Sequence, residues 1–254
     1  EPARFLSLLS TSPSWLERAG FYAMNALIII PARNEEAHIG EVLSRIEQLC
    51  PDLDLLVIND ASSDPTVEVV AAHPRVSLIS LPFWMGYGGA LQTGYKYALA
   101  NGYDAVVQLD GDGQHDPASI GLLLASLQTA DLVVGSRFLS EEDRYPMLIS
   151  RRIGCYFLSF LAKILTGMTI TDPTSGFQAL NRKALAVAVE DHYPLDYPDV
   201  DVLILMHRYR LRVNEVAVHM QPSRAKTGMH EGLQVWYYGV KMLLSIVIMM
   251  LRKA

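Results

Sequence analysis

The chain alternates short apolar runs with longer segments whose apolar residues recur every three or four positions. Short apolar runs are typical of buried strands, and the longer spacing is typical of amphipathic helices. The predicted strands are 26–31, 53–59, 76–80, 104–109 and 132–135. The predicted helices between them are 35–49, 62–72, 87–100 and 117–127. Strands that alternate with helices in this way indicate an α/β protein with a doubly wound, mostly parallel sheet.

The pattern changes after residue 138. A long apolar segment at 146–168 predicts one helix or a helix pair, an amphipathic insertion in the sheet domain. The remaining predicted elements are a polar loop at 170–178, helices at 183–189 and 200–209, a strand at 212–219, a loop at 221–232 and a last helix from about 233 to 252. We therefore divide the chain into an N-terminal extension (1–24), a main domain (25–232) and a C-terminal amphipathic helix (233–254).

Composition narrows the class of protein. Half of the 254 residues are hydrophobic and the mean hydropathy is +0.19, yet no apolar run reaches the roughly 18 residues that a membrane-spanning helix needs. We expect helices that lie on a membrane surface, and no signal peptide in 1–24. The formal net charge of −6 argues against nucleic acid as a partner. Cys50 and Cys155 lack metal-ligand spacing and are predicted to be free thiols.

The most informative motif follows the fourth predicted strand. Asp110 and Asp112 are separated by one glycine and are followed by Gln114. Because α/β proteins bind ligands at the carboxyl ends of their parallel strands, we expect these groups at a sheet edge. Two like charges so close are costly unless a cation lies between them. Hard oxygen ligands suit Mg²⁺ or Mn²⁺, which would hold a substrate diphosphate. An acidic turn that merely closes a strand is the alternative.

Four further polar clusters fall where the same sheet would present ligand groups. Three follow predicted strands, at 31–36, 59–64 and 135–138, and the fourth is the glycine-rich stretch 86–90. Each cluster alone is a weak signal, because an Asn-Asp pair is usually a turn or a helix cap. The glycine run also lacks the G-x-G-x-x-G spacing of dinucleotide-binding loops. Together with the acidic pair, the clusters predict one binding site.

These runs, in this order, resemble family-2 glycosyltransferases, in particular the branch of dolichyl- and polyprenyl-phosphate hexose synthases. The matching runs are 30–36, 57–64, 86–94, 110–117, 135–138 and 172–178. The resemblance implies a GT-A-type fold and an inverting, metal-dependent transfer of a hexose from a nucleotide sugar to a polyprenyl or dolichyl phosphate. We favour a UDP-sugar as donor, with GDP-mannose second, and Mg²⁺ or Mn²⁺ as cofactor.

The resemblance also implies roles for particular residues. The donor-binding residues would be Pro31, Arg33, Asn34, Glu36, Asp60, Gly88, Gly89, Asp110 and Gln114. The metal ligands would be Asp110, Asp112 and Gln114. The acceptor-binding residues would be Arg151, Arg152, Asp172, Thr174, Ser175, Arg224 and Lys226. The predicted catalytic residues are Asp112, Arg137, Asp199 and Asp201. In this scheme Asp60 accepts a hydrogen bond from the base, and the loop that carries Arg224 departs from the family pattern at Met229 and His230.

The acceptor and the reaction class leave alternatives open. A phosphate acceptor is already an anion and needs guanidinium groups rather than a base. A hydroxyl acceptor on a lipid-linked or cell-envelope glycan would need a carboxylate base. Asp199 or Asp201 could be that base, or both could be first-turn acids of a helix. A module that binds nucleotide sugars without turnover is the non-enzymatic alternative.

Two segments point to a membrane surface. The segment 146–168 combines a large apolar side with cations, and the last helix begins with aromatic residues and ends with Arg252 and Lys253. This arrangement suits an interfacial helix. Packing of the two segments on each other or on a partner is the alternative. We expect a peripheral enzyme on the cytoplasmic face of the membrane, with a membrane-anchoring partner or a homo-oligomer left open.

Overall fold

The computed structural model describes residues 24–139, 147, 149–196, 198–221, 241–242 and 244–249, with the side chains of the long helix described from Arg152 onward. Some predictions lie outside this range. They concern the extension before residue 24, the loop with Arg224 and Lys226, the start of the last helix and the side chain of Arg151. Among the helices that are described, none is long and apolar enough to cross a membrane.

A seven-stranded sheet forms the centre of the described residues. Its strands are β1 (Ala26–Ala32), β2 (Asp54–Asn59), β3 (Val76–Ser80), β4 (Ala105–Gln108), β5 (Leu132–Ser136), β6 (Gln178–Asn181) and β7 (Val213–Ala217). They lie in the order β3-β2-β1-β4-β6-β5-β7. Every neighbouring pair is parallel except the two that β6 forms with β4 and β5. The predicted doubly wound, mostly parallel α/β architecture is confirmed.

Helices cover both faces of this sheet. They are α1 (Ile39–Leu49), α2 (Thr66–Ala71), α3 (Tyr87–Ala100), α4 (Ile120–Ser126), α5 (Ile149–Thr166), α6 (Arg182–Ala188) and α7 (Val200–Arg208). Residues 241–242 and 244–249 are also helical. Helices α1 and α2 begin about four residues later than predicted, because the residues ahead of them form two loops that hydrogen-bond to each other.

The prediction missed strand β6, since it placed a loop at 170–178 and then a helix. The strand has only four residues, and the side chains of Gln178, Ala179 and Leu180 are all buried. Neither β-branched residues nor alternating polarity therefore marks it. Because β6 lies antiparallel between β4 and β5, these two strands are not neighbours. Asn181 ends the strand, and its side chain accepts backbone N–H groups from the first turn of α6.

Alternate side chains of the strands build a separate apolar layer on each face. Leu27 and Ile29 of β1 pack with α3, α5, α6 and α7. Ile28 and Ile30 of the same strand pack with α1 and α4 on the opposite face. All four side chains are at most 1% exposed. The central strands are thus buried on both sides, as is usual for a parallel sheet between helices.

This topology brings seven chain segments to one edge of the sheet. The parallel strands β1, β2, β3, β4, β5 and β7 all end at that edge. Because β6 runs the other way, its entry loop (172–177) reaches the same edge. All the motifs that the sequence singled out up to residue 178 therefore lie along this edge, where ligands of α/β proteins bind.

Helix α5 presents apolar side chains on two sides. Cys155, Leu158 and Ala162 face the core. The opposite side, here called the apolar face of α5, consists of side chains that are more than half exposed: Ile153, Tyr156, Phe157, Phe160 and Ile164. The helix contains Arg151, Arg152 and Lys163 but no Asp or Glu. Exposed apolar surface of this kind is typical of a contact with a membrane or another protein.

We predict that Gly88→Ala destabilises the fold. A methyl group at this position of α3 would lie 2.3 Å from the carbonyl oxygen of Pro194 and 2.7 Å from that of Leu195. Such overpacking costs typically about 1–3 kcal/mol. Gly154→Ala in α5 is the control, because its methyl group would meet nothing within 4 Å and alanine favours a helix by up to about 1 kcal/mol. The urea midpoint of unfolding should fall in Gly88→Ala and rise in Gly154→Ala. Equal shifts of the two midpoints would contradict this packing.

Candidate active site

Asp110 and Asp112 lie just beyond the carboxyl end of β4, and both side chains are partly exposed. The carboxylate of Asp112 accepts the backbone N–H of Gln114 at 3.0 Å and also the side-chain amide of Gln114. Gly113 between them has φ of +79°, a backbone conformation that glycine adopts without strain. A tight turn thus holds Asp112 and Gln114 together beside Asp110.

Asp110 is held by a side chain from another element. The hydroxyl of Tyr87, at the start of α3, donates to Oδ1 of Asp110 at 2.7 Å. The loop before β6 lies against this hydrogen bond. A Cβ atom on Gly176 would be 2.7 Å from the Tyr87 hydroxyl oxygen and 3.2 and 3.3 Å from the two carboxylate oxygens of Asp110. The acidic pair, α3 and the loop 172–177 therefore meet at one point.

Three carboxyl groups converge at this edge. Burial raises the pKa of Asp110, against the opposing effects of the Tyr87 hydrogen bond and the Arg137 charge. The pKa of Glu35 rises to about 7, first through burial and then through the charges of Asp112 and Asp110. The sheet edge therefore carries unbalanced negative charge, which a cation would stabilise.

The donor set suits a hard divalent cation. Asp110 and Asp112 supply carboxylate oxygens, the ligands that Mg²⁺ and Mn²⁺ prefer. Within the described parts of the chain, no three or more His, Cys, Asp and Glu side chains form a group that could hold a metal by themselves. Mg²⁺ is usually bound through one or two carboxylates together with substrate phosphates and water. Two aspartates at an open edge fit that mode, and Gln114 stays a predicted further ligand.

His115 fixes the turn that carries the two aspartates. Its side chain is buried and stacks on Phe177, with ring centroids 5.0 Å apart. Its Nδ1 atom accepts the backbone N–H of Asp110 at 3.0 Å, which places the ring proton on Nε2. Burial lowers the pKa of His115 to about 4, so the ring is neutral at pH 7. A bridge between His115 and Met220 ties the turn to the chain after β7.

The loops after β1 and β2 are joined to each other. Backbone N–H groups of 34–36 donate to three side chains of the second loop, those of Ser62, Thr66 and Asp64. The side-chain oxygen of Asn34 accepts the backbone N–H of Ser63 at 2.8 Å. Pro31 is buried at the end of β1, whereas Asn34 and Glu36 are exposed at the sheet edge. Their predicted contacts with a nucleotide stay predictions.

Asp60 holds the loop between β3 and α3. Its side chain is 3% exposed, and its two carboxylate oxygens accept the backbone N–H groups of Met85 at 2.7 Å and Gly86 at 3.0 Å. The start of α3 is thereby attached to the end of β2. The hydrogen bond from a nucleotide base to Asp60 stays a prediction.

Arg33, in the loop after β1, and Trp84, in the loop between β3 and α3, form an exposed stacked pair. The guanidinium carbon of Arg33 lies 5.0 Å from the centroid of the indole ring, and its Nη1 donates to the backbone carbonyl of Asp60 at 2.9 Å. Trp84 is 68% exposed. Arg33 is one of the predicted donor-binding residues, whereas Trp84 is not. Trp84 adds a flat aromatic surface beside Arg33.

Arg137 and Asp172 form a buried ion pair with two contacts. Nε and Nη2 of Arg137 each lie 2.6 Å from a carboxylate oxygen of Asp172, and neither residue is more than 5% exposed. Nη2 also donates to the hydroxyl of Thr174 at 3.1 Å. Glu215 of β7 accepts the backbone N–H of Asp172 at 2.8 Å. These contacts fix the loop 172–177, and the predicted catalytic role of Arg137 stays a prediction.

Ser175, Gly88 and Gly89 also have packing roles. The buried Ser175 hydroxyl accepts the backbone N–H of Phe177 at 3.3 Å. Gly88 leaves no room for a side chain against residues 194–195, and the N–H of Gly89 donates to the carbonyl of Leu195 at 3.1 Å. These contacts explain small residues at the start of α3 without a ligand, so the predicted approach of both glycines to a nucleotide stays a prediction.

The two candidate bases have different surroundings. Asp201 is 1% exposed, and its carboxylate accepts the backbone N–H groups of Asp199 and Val202 and the hydroxyl of Ser245. Burial raises its pKa to about 6. Asp199 is partly exposed. Its charge contributes, after burial and Asp110, to the raised pKa of Tyr87. Asp199 is therefore near enough to Tyr87 for its charge to act there, whereas Asp201 joins α7 to helix 244–249.

Helix α5 is attached to the loop 172–177 through its core-facing side. The hydroxyl of Ser159 donates to the carbonyl of Thr171 at 3.2 Å, and the sulfur of Cys155 lies 3.5 Å from the hydroxyl of Thr174. Arg152 is exposed near the start of this helix. The predicted acceptor residues that the structure describes thus belong to one helix and one loop in contact.

Sequence reasoning missed four residues that organise the site. Glu35, Tyr87 and His115 lie inside runs that carry the family resemblance. Their position within these runs was the signal in the sequence that could have identified them as site residues. Glu215 lies in β7 and carries no motif, and only the tertiary contact with the loop 172–177 reveals its role.

The doubly wound sheet with an acidic pair at its carboxyl edge agrees with the GT-A-type fold that the motifs imply. Residues 27–187 match the family model described as Glycosyl transferase family 2. The chain therefore belongs to glycosyltransferase family 2, and it is a glycosyltransferase.

Two relatives and one solved structure illustrate the similarity. The chain is 34% identical over 166 residues to undecaprenyl-phosphate mannosyltransferase of Micrococcus luteus, across 64% of this chain and 68% of the relative. It is 28% identical over 233 residues to UDP-N-acetylglucosamine–dolichyl-phosphate N-acetylglucosaminyltransferase of Methanococcus voltae, across 83% and 92%. The crystal structure of glucosyl-3-phosphoglycerate synthase from Mycobacterium tuberculosis with Mn²⁺, UDP and glucosyl-3-phosphoglycerate superposes with a TM-score of 0.70 at 24% identity, across 93% and 86%. This last likeness shows the fold.

We predict that the native chain loses stability as the pH rises towards 7 and that Asp201→Asn abolishes this loss. The pKa of about 6, against an ordinary value of 3.8, means that folding favours the protonated carboxyl. The free energy of unfolding therefore falls as the pH rises from about 4 to 7. An amide stays neutral and keeps an oxygen for the two N–H groups. Urea midpoints between pH 4 and 7 should increasingly favour the variant over the native chain.

Asp131→Asn is the matched control with the opposite sign. Despite burial, hydrogen bonds from the backbone of Arg212 and the side chain of Asn181 lower the pKa of Asp131. The native chain should therefore gain stability relative to this variant as the pH rises through the lowered pKa and the ordinary range. If the stability of both variants relative to the native chain changed with pH in the same direction, the opposite pKa shifts of Asp201 and Asp131 would be contradicted.

Proposed function

We propose that the chain is an inverting, metal-dependent glycosyltransferase that moves a hexose from a nucleotide sugar to a polyprenyl or dolichyl phosphate. One observation carries this proposal. Asp110, the first acid of the pair that follows β4, lies against the loop 172–177, which the Arg137–Asp172 pair holds in place. Groups suited to a donor diphosphate thus adjoin a loop suited to an acceptor.

The donor is bound, in this proposal, along the edge from β3 to β4. Arg33, Trp84 and Asp60 lie at one end of this stretch, and the aspartates lie at the other. The relatives' names mention a mannosyl donor in one case and UDP-N-acetylglucosamine in the other. We favour a UDP-sugar, with GDP-mannose second, and both belong in the test.

The chain's own residues perform the binding and alignment in this reaction. The bond between the sugar and the diphosphate breaks while an oxygen of the acceptor phosphate bonds to the sugar carbon from the opposite side. A bound Mg²⁺ or Mn²⁺ would stabilise the negative charge on the departing diphosphate. Asp110 and Asp112 would hold this cation. Arginines on the acceptor side would reduce the repulsion between the two anions.

A lipid phosphate is supported by the printed names of both curated relatives, which include undecaprenyl phosphate and dolichyl phosphate. An anionic acceptor needs no general base, which agrees with the buried and fully hydrogen-bonded carboxylate of Asp201. Asp199 is the base in the alternative with a hydroxyl acceptor, because it is partly exposed and its charge acts on Tyr87. The acceptor assay therefore includes a variant of Asp199.

The membrane proposal rests on helix α5. Its core-facing side contacts the loop 172–177, and its apolar face is exposed beside cations and without acids. An apolar surface with flanking cations suits the interface of an anionic bilayer. Neither Cys50 nor Cys155 forms a disulfide, in agreement with a reducing compartment. We therefore propose a peripheral enzyme on the cytoplasmic membrane face.

We predict that Asp112→Asn abolishes transfer while leaving the fold intact. The amide removes one negative charge from the cation site, and its side chain is partly exposed, so little packing is lost. The assay incubates the native chain and the variant with Mg²⁺ or Mn²⁺, UDP- and GDP-sugars, and a short polyprenyl phosphate, and detects glycolipid by mass. The native chain should form product, and the variant should form at least a hundredfold less, as removal of a charged electrostatic group typically costs.

Matched variants make this assay decisive. Asp116→Asn alters a nearby acid that instead pairs with Arg45 at 2.9 Å, and it should retain transfer. Asp199→Asn should retain transfer to a phosphate but lose transfer to a hydroxyl. Donor binding without transfer to any acceptor would favour the non-catalytic module, and near-native transfer by Asp112→Asn would refute the role of the acidic pair.

We predict that Phe157→Asp combined with Phe160→Asp weakens membrane binding. Burial of each phenylalanine in the bilayer interface is worth up to about 1.5–3 kcal/mol, so the partition coefficient should fall at least tenfold. Co-sedimentation with phosphatidylglycerol vesicles measures the effect. Leu49→Asp, in the exposed part of α1 on the opposite sheet face, is the control and should bind as the native chain does. Unchanged vesicle binding together with a loss of self-association would assign this face to a homo-oligomer.

A further inference from the structure

Tyr87 is the residue at which the two halves of the site touch. It is the first residue of α3, and its hydroxyl donates to Asp110 at 2.7 Å. The backbone of Gly176 lies directly over this hydrogen bond, since a Cβ atom there would clash with the hydroxyl oxygen at 2.7 Å. Tyr87 is thus in contact with the donor-side carboxylate and with the acceptor-side loop at once.

The position of Tyr87 is set independently of Asp110. Asp60 accepts the backbone N–H of Gly86, the residue just before it. The N–H of Gly89 donates to the carbonyl of Leu195. The first turn of α3 is therefore held at two points outside the acidic cluster, so the hydroxyl constrains the carboxylate.

The loop over Tyr87 is held just as firmly. Asp172 is bound to Arg137 through two contacts of 2.6 Å, and its backbone is bound to Glu215. With the loop on one side and α3 on the other, the Asp110 carboxylate has one oxygen fixed by a neutral donor. A neutral donor orients the group without cancelling the charge that a cation needs.

We propose that Tyr87 is a positioning residue that orients the Asp110 carboxylate for a divalent cation and holds it in place beside the loop 172–177. This inference rests on the proposed function, because it assumes a cation at the acidic pair. Groups that hydrogen-bond to metal ligands typically contribute 10- to 100-fold to metal affinity or activity. The Tyr87 hydroxyl is such a group, because it hydrogen-bonds to Asp110, one of the two proposed carboxylate ligands.

The test is Tyr87→Phe, which deletes only the hydroxyl. Mn²⁺ binding is measured by electron paramagnetic resonance, with Mn²⁺ alone and with saturating UDP or GDP. We expect the variant to bind Mn²⁺ about 10- to 100-fold more weakly than the native chain, with nucleotide binding in the absence of metal unchanged. In the transfer assay, a higher Mn²⁺ concentration should restore much of the lost rate.

Two further variants control the experiment. Tyr95→Phe removes a buried hydroxyl from the same helix that bonds to Gln108 instead of the acidic pair, and it should bind Mn²⁺ as the native chain does. Gly176→Ala keeps Tyr87 but places a methyl group against its hydroxyl, and it should weaken Mn²⁺ binding as well.

The outcomes separate this inference from the proposed function. If the native chain binds no Mn²⁺ with either nucleotide, the metal-dependent function fails. If the native chain binds Mn²⁺ and Asp112→Asn does not, while Tyr87→Phe or Gly176→Ala binds with native affinity, the role of Tyr87 is overturned. Equal weakening in Tyr95→Phe would also overturn it, since the effect would then be a general loss of packing in α3.

Discussion

The arrangement of the site depends on the mutual repulsion of carboxylates at the carboxyl edge of the sheet. Asp110, Asp112 and Glu35 converge there, and burial adds to the cost of ionising them. Such a cluster is costly in a folded protein unless a cation or a strong set of donors relieves it. The fold tolerates this cost because each acid lies on a loop that is anchored through other residues. A divalent cation bound there would relieve the negative charge and could in turn hold a diphosphate.

The surrounding groups orient the acids without neutralising them. Tyr87 donates to the Asp110 carboxylate and the neutral ring of His115 accepts the backbone N–H of Asp110, so neither residue adds charge. The guanidinium of Arg137 pairs with Asp172 at 2.6 Å, so its charge is largely directed to the loop 172–177. Positive charge thus serves to fix the acceptor-side loop, and the acidic pair keeps its affinity for a cation. In the proposed reaction, this division would separate the two substrates electrostatically while keeping them adjacent.

Helix α5 connects that chemistry to a surface. Ser159 and Cys155 contact the loop 172–177 from the core-facing side, while the apolar face of α5 is exposed on the other. A lipid phosphate requires this combination, since its headgroup must reach a polar site while its chain stays in an apolar medium. The helix could not serve both purposes if its apolar residues lay on one side only.

The sequence by itself determined most of the secondary structure and the placement of the polar motifs at the ends of the strands, because a buried parallel strand is marked by its own apolar run and its end by the polar residues that follow. Strand β6 was not predicted, since its burial is imposed by β4 and β5 rather than indicated by its own sequence pattern. Only the tertiary structure decided that Ser245 donates to Asp201, that Arg137 pairs with Asp172, and that Tyr87 donates to Asp110. These are contacts between residues 23 to 44 positions apart, and local periodicity carries no information about which side chains such distant segments bring together.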